Sequence, residues 1–259
     1  MSAARLRVVG FVLVALGAVS SAIAVAQTPA AGSAVDMSTL TRVVLLEAVS
    51  WAAVPIFAWL LWRGFRRAQR RGRYALWLAL LAVVTELPYD LATSGRAWDP
   101  SSQNPVFALL IGFIVMWALD HLLRGPRRNA GVAVLVCIAG ILWLVIFDVG
   151  VRLGIVPMGV VLLLFCLVFY FLHSRENTMM MVGGTLGALA LIFPALGMLL
   201  LHFRRDESGD GATADSADSI AGDSAVAAGS PLFPLFPRDL LYGLYPLGLL
   251  VAGLIGVLS

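Results

Sequence analysis

The chain has 259 residues, 60% of them hydrophobic and 13% charged, with a formal net charge of +3 and a mean hydropathy of +0.92. That is too little polar surface to cover a soluble globule, so the chain reads as an integral membrane protein. The basic residues are all arginine and sit in short segments between apolar runs, not on one exposed face, which excludes a nucleic-acid binder.

A helix that spans a bilayer needs roughly 20 mostly apolar residues. Such runs occur near residues 6–26, 43–62, 74–92, 105–123, 130–149, 155–173, 178–201 and 239–258. They predict an all-α, polytopic bundle of about eight transmembrane helices in a single domain covering 1–259. Strands of a membrane barrel would be shorter and would alternate apolar with polar residues. The first run has two readings. Its basic start, apolar centre and Ala24-Val25-Ala26 ending suit an uncleaved helix or a secretory signal peptide.

Arginine bias sets the orientation. Six arginines lie between Arg63 and Arg73, three more in "RGPRRN", and Arg5 and Arg7 near the start, so these segments face the cytoplasm. Arg42, Arg96, Arg152, Arg204, Arg205 and Arg238 then fall outside. Both termini are cytoplasmic on this scheme. Residues from about 203 to 230, with six acids from Asp206 to Asp223, read as a disordered external loop. Trp51, Trp59, Trp62, Trp77 and Trp98 mostly flank span ends, as an interfacial belt would.

Against this background the stretch "TELPYDLATSGRAWDPSSQNPVFALLIG" stands out. Glu86 and Asp90 are four residues apart and share a helix face near the outer end of the third span, with Pro88 between them. Gln103 and Asn104 follow at the entry to the fourth span. Asp148 marks the outer end of the fifth, and Tyr245 that of the eighth. A normal bundle would bring these groups to one outward-facing polar cavity. Ionisable residues inside a span are costly unless they face the bundle interior or water, so a functional site is their default reading. The competing reading has the carboxylates reaching interfacial water or pairing with Arg96 or Arg152, and Gln103 and Asn104 capping the fourth helix ahead of Pro105. His121, His173 and His202 all fall at span ends, with His202 on the outer side. The sequence has no phosphate loop, no nucleophile elbow and no His/Cys cluster at metal spacing. Cys137 and Cys166 sit mid-span as packing residues.

The segment from Ala53 to Gly112 resembles the TraX family of bacterial membrane proteins, through "PIFAWLL", Gly64-Phe65, Tyr74, "ELPYDL" and "QNPVFALLIG" in family order and spacing. "FDVGVRLGIVPMGVVLLL" and "RDLLYGLYPLGLL" are similar to later family segments. The resemblance implies a multi-pass protein of the bacterial cytoplasmic membrane that moves an acetyl group, with acetyl-CoA as donor and an envelope protein, glycan or lipid as acceptor. It also implies catalytic roles for Glu86 and Asp90, with Gln103, Asn104, Asp148 and Tyr245 binding substrate and no metal involved. Acyl transfer needs a base for the nucleophile's proton and donors for the developing oxyanion. The departures fall on proton-moving positions: Gly17-Ala18 stands where the family carries an Asp-His pair, and Gly248 where it carries a histidine. A non-catalytic scaffold or partner in an envelope complex is therefore the alternative expectation.

Overall fold

The computed structural model describes residues 1, 3–26, 37–96, 98–124, 129–150 and 157–204, together with 246, 248–251 and 253. The helices are α1 (Ala3–Ala26), α2 (Met37–Ser50), α3 (Ala53–Arg67), α4 (Arg71–Ser94), α5 (Pro105–Arg124), α6 (Ala130–Ile146), α7 (Met158–Leu172), α8 (Glu176–Leu189) and α9 (Phe193–His202). Among the described residues the sole β pairing is an isolated bridge between Gln103 and Val149.

The bundle is dressed for lipid. Val83, Val84 and Leu87 on α4, and Leu135 and Leu142 on α6, are exposed in mid-helix, where a soluble protein would carry polar groups. Arg5–Ala24, Met37–Arg67, Arg71–Ser94 and Pro105–Arg124 are long and apolar enough to cross a membrane, and α6 and α7 are shorter apolar helices. The fold is thus the helical membrane bundle expected. Its core packs Ile56, Phe113, Met116, Leu163, Phe165 and Phe169, all fully buried. Glycines let the helices close in: a Cβ on Gly112 would stand 3.2 Å from the Cys166 sulfur.

Three of the quoted family residues meet at the arginine-rich end. A Cβ on Gly64 would stand 2.7 Å from the Tyr74 hydroxyl, and Tyr74 stacks on Phe113 with centroids 4.8 Å apart. Phe65 meets the same Phe113 ring edge-on at 5.4 Å. Beside them the buried Asp120 holds Arg71 at 2.6 Å and Arg124 at 2.7 Å.

The second span is one path made of two helices, broken at Trp51 and Ala52, whose amide groups turn back to Ala48 and Val49 at 3.1 Å. Trp51 and Trp59 are buried, so neither belongs to an interfacial belt, whereas Trp98 is exposed. Arg63 and Arg204 lie over the Trp59 ring.

The run expected to cross at 178–201 does not cross. It folds into an antiparallel hairpin of α8 and α9, turning at Leu191 and Ile192, both at positive φ. Three pairings fix the arrangement: Gly187 lies against Ala195, Gly183 against Met198, and Glu176 pairs with Arg204 at 2.9 Å. α9 also runs alongside α3 in the same direction, with Gly197 against Ala52 and Arg204 over Trp59. A helix the length of α8 reaches only about 21 Å, short of the roughly 30 Å hydrocarbon layer. His202, Phe203 and Arg204 therefore lie at the arginine-rich end, where the Met1 amino group meets the Phe203 carbonyl. This corrects the outer placement of His202 and Arg204 and of the start of the 203–230 segment, whose remainder lies outside the described residues.

The last described residues agree. Leu249 packs with Ala18, Ala22, Tyr89 and Ala92, and a Cβ on Gly253 would stand 3.0 Å from the Ala92 nitrogen. Gly253 is thus level with the outer end of α4. A span entering from outside near Asp239 would by that point lie about 21 Å deeper. α1 is built into the core, with Leu6 fully buried and Ser20 Oγ donating to the Val43 carbonyl at 2.8 Å.

Candidate functional site

The outer ends of α4 and α5 carry the polar cluster. Pro88 cannot donate a backbone hydrogen bond inside α4, and just before it Thr85 turns its hydroxyl back to the Leu81 carbonyl at 2.6 Å. Gly95 ends α4 in the left-handed conformation at φ 68°, its N–H bonded to the Leu91 carbonyl at 3.2 Å. The chain then returns across the helix end and enters α5 at Asn104 and Pro105.

Asn104 joins the two helices. Its backbone N–H donates to Glu86 Oε2 at 3.2 Å, and its side-chain amide donates to the Thr85 hydroxyl. Its Oδ1 accepts the Val106 N–H at 3.0 Å, which caps α5. The capping alternative thus describes its side chain, which is spent inside the fold and not turned to a ligand. Gln103 is half-buried and pairs through its backbone, its carbonyl taking the Gly150 N–H at 2.7 Å.

Asp90 is 2% exposed. Its Oδ2 accepts the Asp99 N–H at 3.0 Å, and its Oδ1 has no hydrogen-bond partner among the described residues. Asp99, in the loop, accepts from Ser101 N at 3.1 Å, and the Ser101 hydroxyl and amide hold its carboxyl below the usual carboxylate range. Tyr89, fully buried, meets the Ser102 hydroxyl at 3.3 Å, and Ser102 reaches the Asp148 carbonyl at 3.4 Å. Asp148 itself takes φ 47°, a conformation that short polar side chains tolerate, and its carboxylate is exposed. The structure therefore gathers Glu86, Asp90, Gln103 and Asn104 and attaches Asp148 through its backbone. Tyr245 lies outside the described residues.

A half-enclosed cavity of about 130 Å³ adjoins this cluster on its inner side. Pro105 and Val106, the first turn capped by Asn104, form part of its wall, and Phe57, Leu81 and Leu109 make it apolar. Its polar lining residues are Glu47 and Ser50. Glu86, Asp90 and Asp148 do not line it, so the single outward polar cavity expected from the sequence is two adjacent features. Glu47 is a carboxylate well inside a span, and the argument that marks Glu86 applies to it equally. It is 4% exposed, with Oε1 accepting the Trp51 indole N–H at 3.3 Å. Among the described residues no three His, Cys, Asp or Glu side chains gather as a metal site.

The model of the family described as TraX protein matches residues 35–255, most of the chain. The chain belongs to the TraX family. No curated protein and no solved structure matches it. The TraX match takes in α2 to α9, the Glu86 cluster and the cavity wall apart from Phe11 and Val14, whereas Gly17 and Ala18 precede it. Those two positions nonetheless reach the same place in space: Ala18 and Leu249, the neighbour of Gly248, both pack around Tyr89. The three histidines lie at the other ends of their helices: His121 in the last turn of α5, His173 at the end of α7 with its ring 5.4 Å from that of Trp62, and His202 in the last turn of α9.

Proposed function

We propose that this TraX-family protein is a membrane acyltransferase of the bacterial cytoplasmic membrane. It moves an acetyl or similarly small acyl group to an amine or hydroxyl of an envelope protein, glycan or lipid. The observation that carries the reading is the Glu86–Asn104 contact, which holds a half-buried carboxylate at the mouth of a membrane bundle next to an acyl-sized cavity.

Glu86 is the base that takes the acceptor's proton as its nitrogen or oxygen attacks the carbonyl of a thioester-activated acyl group; the new C–N or C–O bond replaces the C–S bond, and the departing thiolate takes the proton from Glu86. Asp90 orients the acceptor or holds its ammonium. The Gln103 amide donates to the carbonyl oxygen as negative charge develops on it. Asn104 serves by fixing Glu86. Among the described residues the arginines on this side are the exposed Arg42 and Arg96, so none of them forms a cradle for the nucleotide of an acetyl-CoA donor beside Glu86. The reading therefore draws only on the protein's own side chains for the chemistry.

A second reading, a non-catalytic family member that serves as scaffold or partner in an envelope complex, is favoured by Gly17, Ala18 and Gly248. None of them can move a proton, and Ala18 packs against the cluster as an apolar group.

The test is label transfer from acetyl-CoA to total envelope extract by the purified protein in nanodiscs, with Glu86→Gln in parallel. Label in a protein, glycan or lipid band with wild type alone supports acyl transfer and identifies the acceptor. No label, while histidine-bearing family members transfer it under the same conditions, favours the non-catalytic reading.

A further inference from the structure

Acyl transfer at Glu86 sets which bonds change but not the length of the group that moves, and the cavity on the inner side of the cluster bears on that length. α4 runs outward and α5 runs back inward, so two walls descend from the Glu86–Asn104 contact. Pro105 starts one wall, and Leu109, four residues on, lies about 6 Å deeper. Leu81 and Leu78 belong to the other, five and eight residues before Glu86 and about 8 and 12 Å deeper. Phe57 adds α3 to the same lining.

The two polar lining residues ask for nothing polar from a ligand. The Ser50 hydroxyl turns to the Glu47 backbone carbonyl at 2.6 Å, and the Glu47 carboxylate takes the Trp51 indole N–H at 3.3 Å. Water fills such a space poorly, because each molecule needs two to four polar partners. An acetyl group also fills it poorly: it carries one methyl beyond its carbonyl, and a wall with no atoms against it forfeits its dispersion contacts. The volume, about 130 Å³, is close to that of an engineered apolar cavity of about 150 Å³ that takes benzene, a body of six carbons.

We propose that this cavity is an acyl-chain pocket that selects a saturated chain of about four to six carbons over acetyl, with Leu81 and Leu109 setting the length. The carbonyl end of the chain is placed at Gln103 and Glu86 by the acyl-transfer reading, on which the proposal rests, and the bonds made and broken are those given there. The tail runs inward between α4 and α5, away from the polar cluster.

The test is a photoreactive thioester that needs no turnover to report: a pentanoyl chain bearing a diazirine near its end, on N-acetylcysteamine, added without acceptor to the full-length protein in nanodiscs. Mass spectrometry places the label on the peptides carrying Leu81 and Leu109. Saturated thioesters compete about fourfold better for each carbon from acetyl to hexanoyl, the effect of burying one CH₂, and octanoyl competes worse than hexanoyl. Partition into lipid alone would keep rising to octanoyl. Leu81→Ala lengthens the pocket and moves the best competitor to octanoyl. Leu109→Trp shortens it and lowers the hexanoyl-to-acetyl ratio about tenfold, so either variant serves if the other does not fold. Label absent from both peptides, competition that rises through octanoyl, or the wild-type profile in a folded variant overturns the proposal, whether or not acetyl is transferred. The expected profile with no transfer to envelope extract from any of the thioesters upholds the pocket and overturns the transferase reading alone.

Discussion

Glu176 and Arg204 are joined at 2.9 Å across the open end of the α8–α9 hairpin, 28 residues apart in the chain and at the same face of the bundle. A single crossing helix would have placed them on opposite sides of the membrane. His202→Cys is therefore labelled by a membrane-impermeant maleimide in inside-out vesicles and not in intact cells. Labelling in intact cells would restore a crossing span at 178–201.

The packing of α9 on α3 depends on close backbone approach. A Cβ on Gly197 would collide with the Ala52 carbonyl and lie 2.5 Å from Pro55 Cγ, whereas one on Gly184 meets nothing within 4 Å. Gly197→Val is expected to cost about 1–3 kcal/mol by overpacking, and Gly184→Ala to be neutral or slightly stabilising through helix propensity. Thermal unfolding of both proteins in detergent, followed by size-exclusion, checks the contrast; equal midpoints would show that the two helices do not pack as described.

Asn104 and Gln103 separate structure from activity. Asn104→Ala removes the α5 cap and the bond to Thr85 and is expected to destabilise by roughly 1–3 kcal/mol. Gln103→Ala keeps the backbone pairing to Gly150 and leaves stability within about 0.5 kcal/mol, while transfer falls. A fall of about 100-fold is the scale for one lost oxyanion donor. Equal activity of Gln103→Ala and wild type would remove Gln103 from the reaction.

Asp90 carries a buried oxygen with no partner among the described residues. Asp90→Asn keeps an oxygen for the Asp99 N–H and removes a buried negative charge, so the unfolding midpoint stays level or rises. Transfer drops tenfold or more if the carboxylate orients the acceptor. A lower midpoint with full activity would make Asp90 structural.

The helical membrane class was legible because hydropathy measures what the bilayer demands, and the Glu86/Asp90 pairing was legible because a spacing of four puts both on one face. The hairpin was not. Residues 178 to 201 are apolar at a length that spans, and such a run reads the same whether it goes straight or doubles back. What decides is Gly187 and Gly197 taking another backbone at contact distance and Gly183 taking the Met198 side chain, together with positive φ at Leu191 and Ile192. Trp51 was misread for a related reason: proximity to a span end in sequence says nothing of a break in the helix. Glu47 is a single acid in an apolar run, without the second acid four residues on that marks Glu86.

The loop from Asp99 to Asn104 is stitched to α4 at Asp90, Tyr89 and Glu86, and to the turn after α6 through Gln103. A segment sewn down at so many points cannot swing aside as a door.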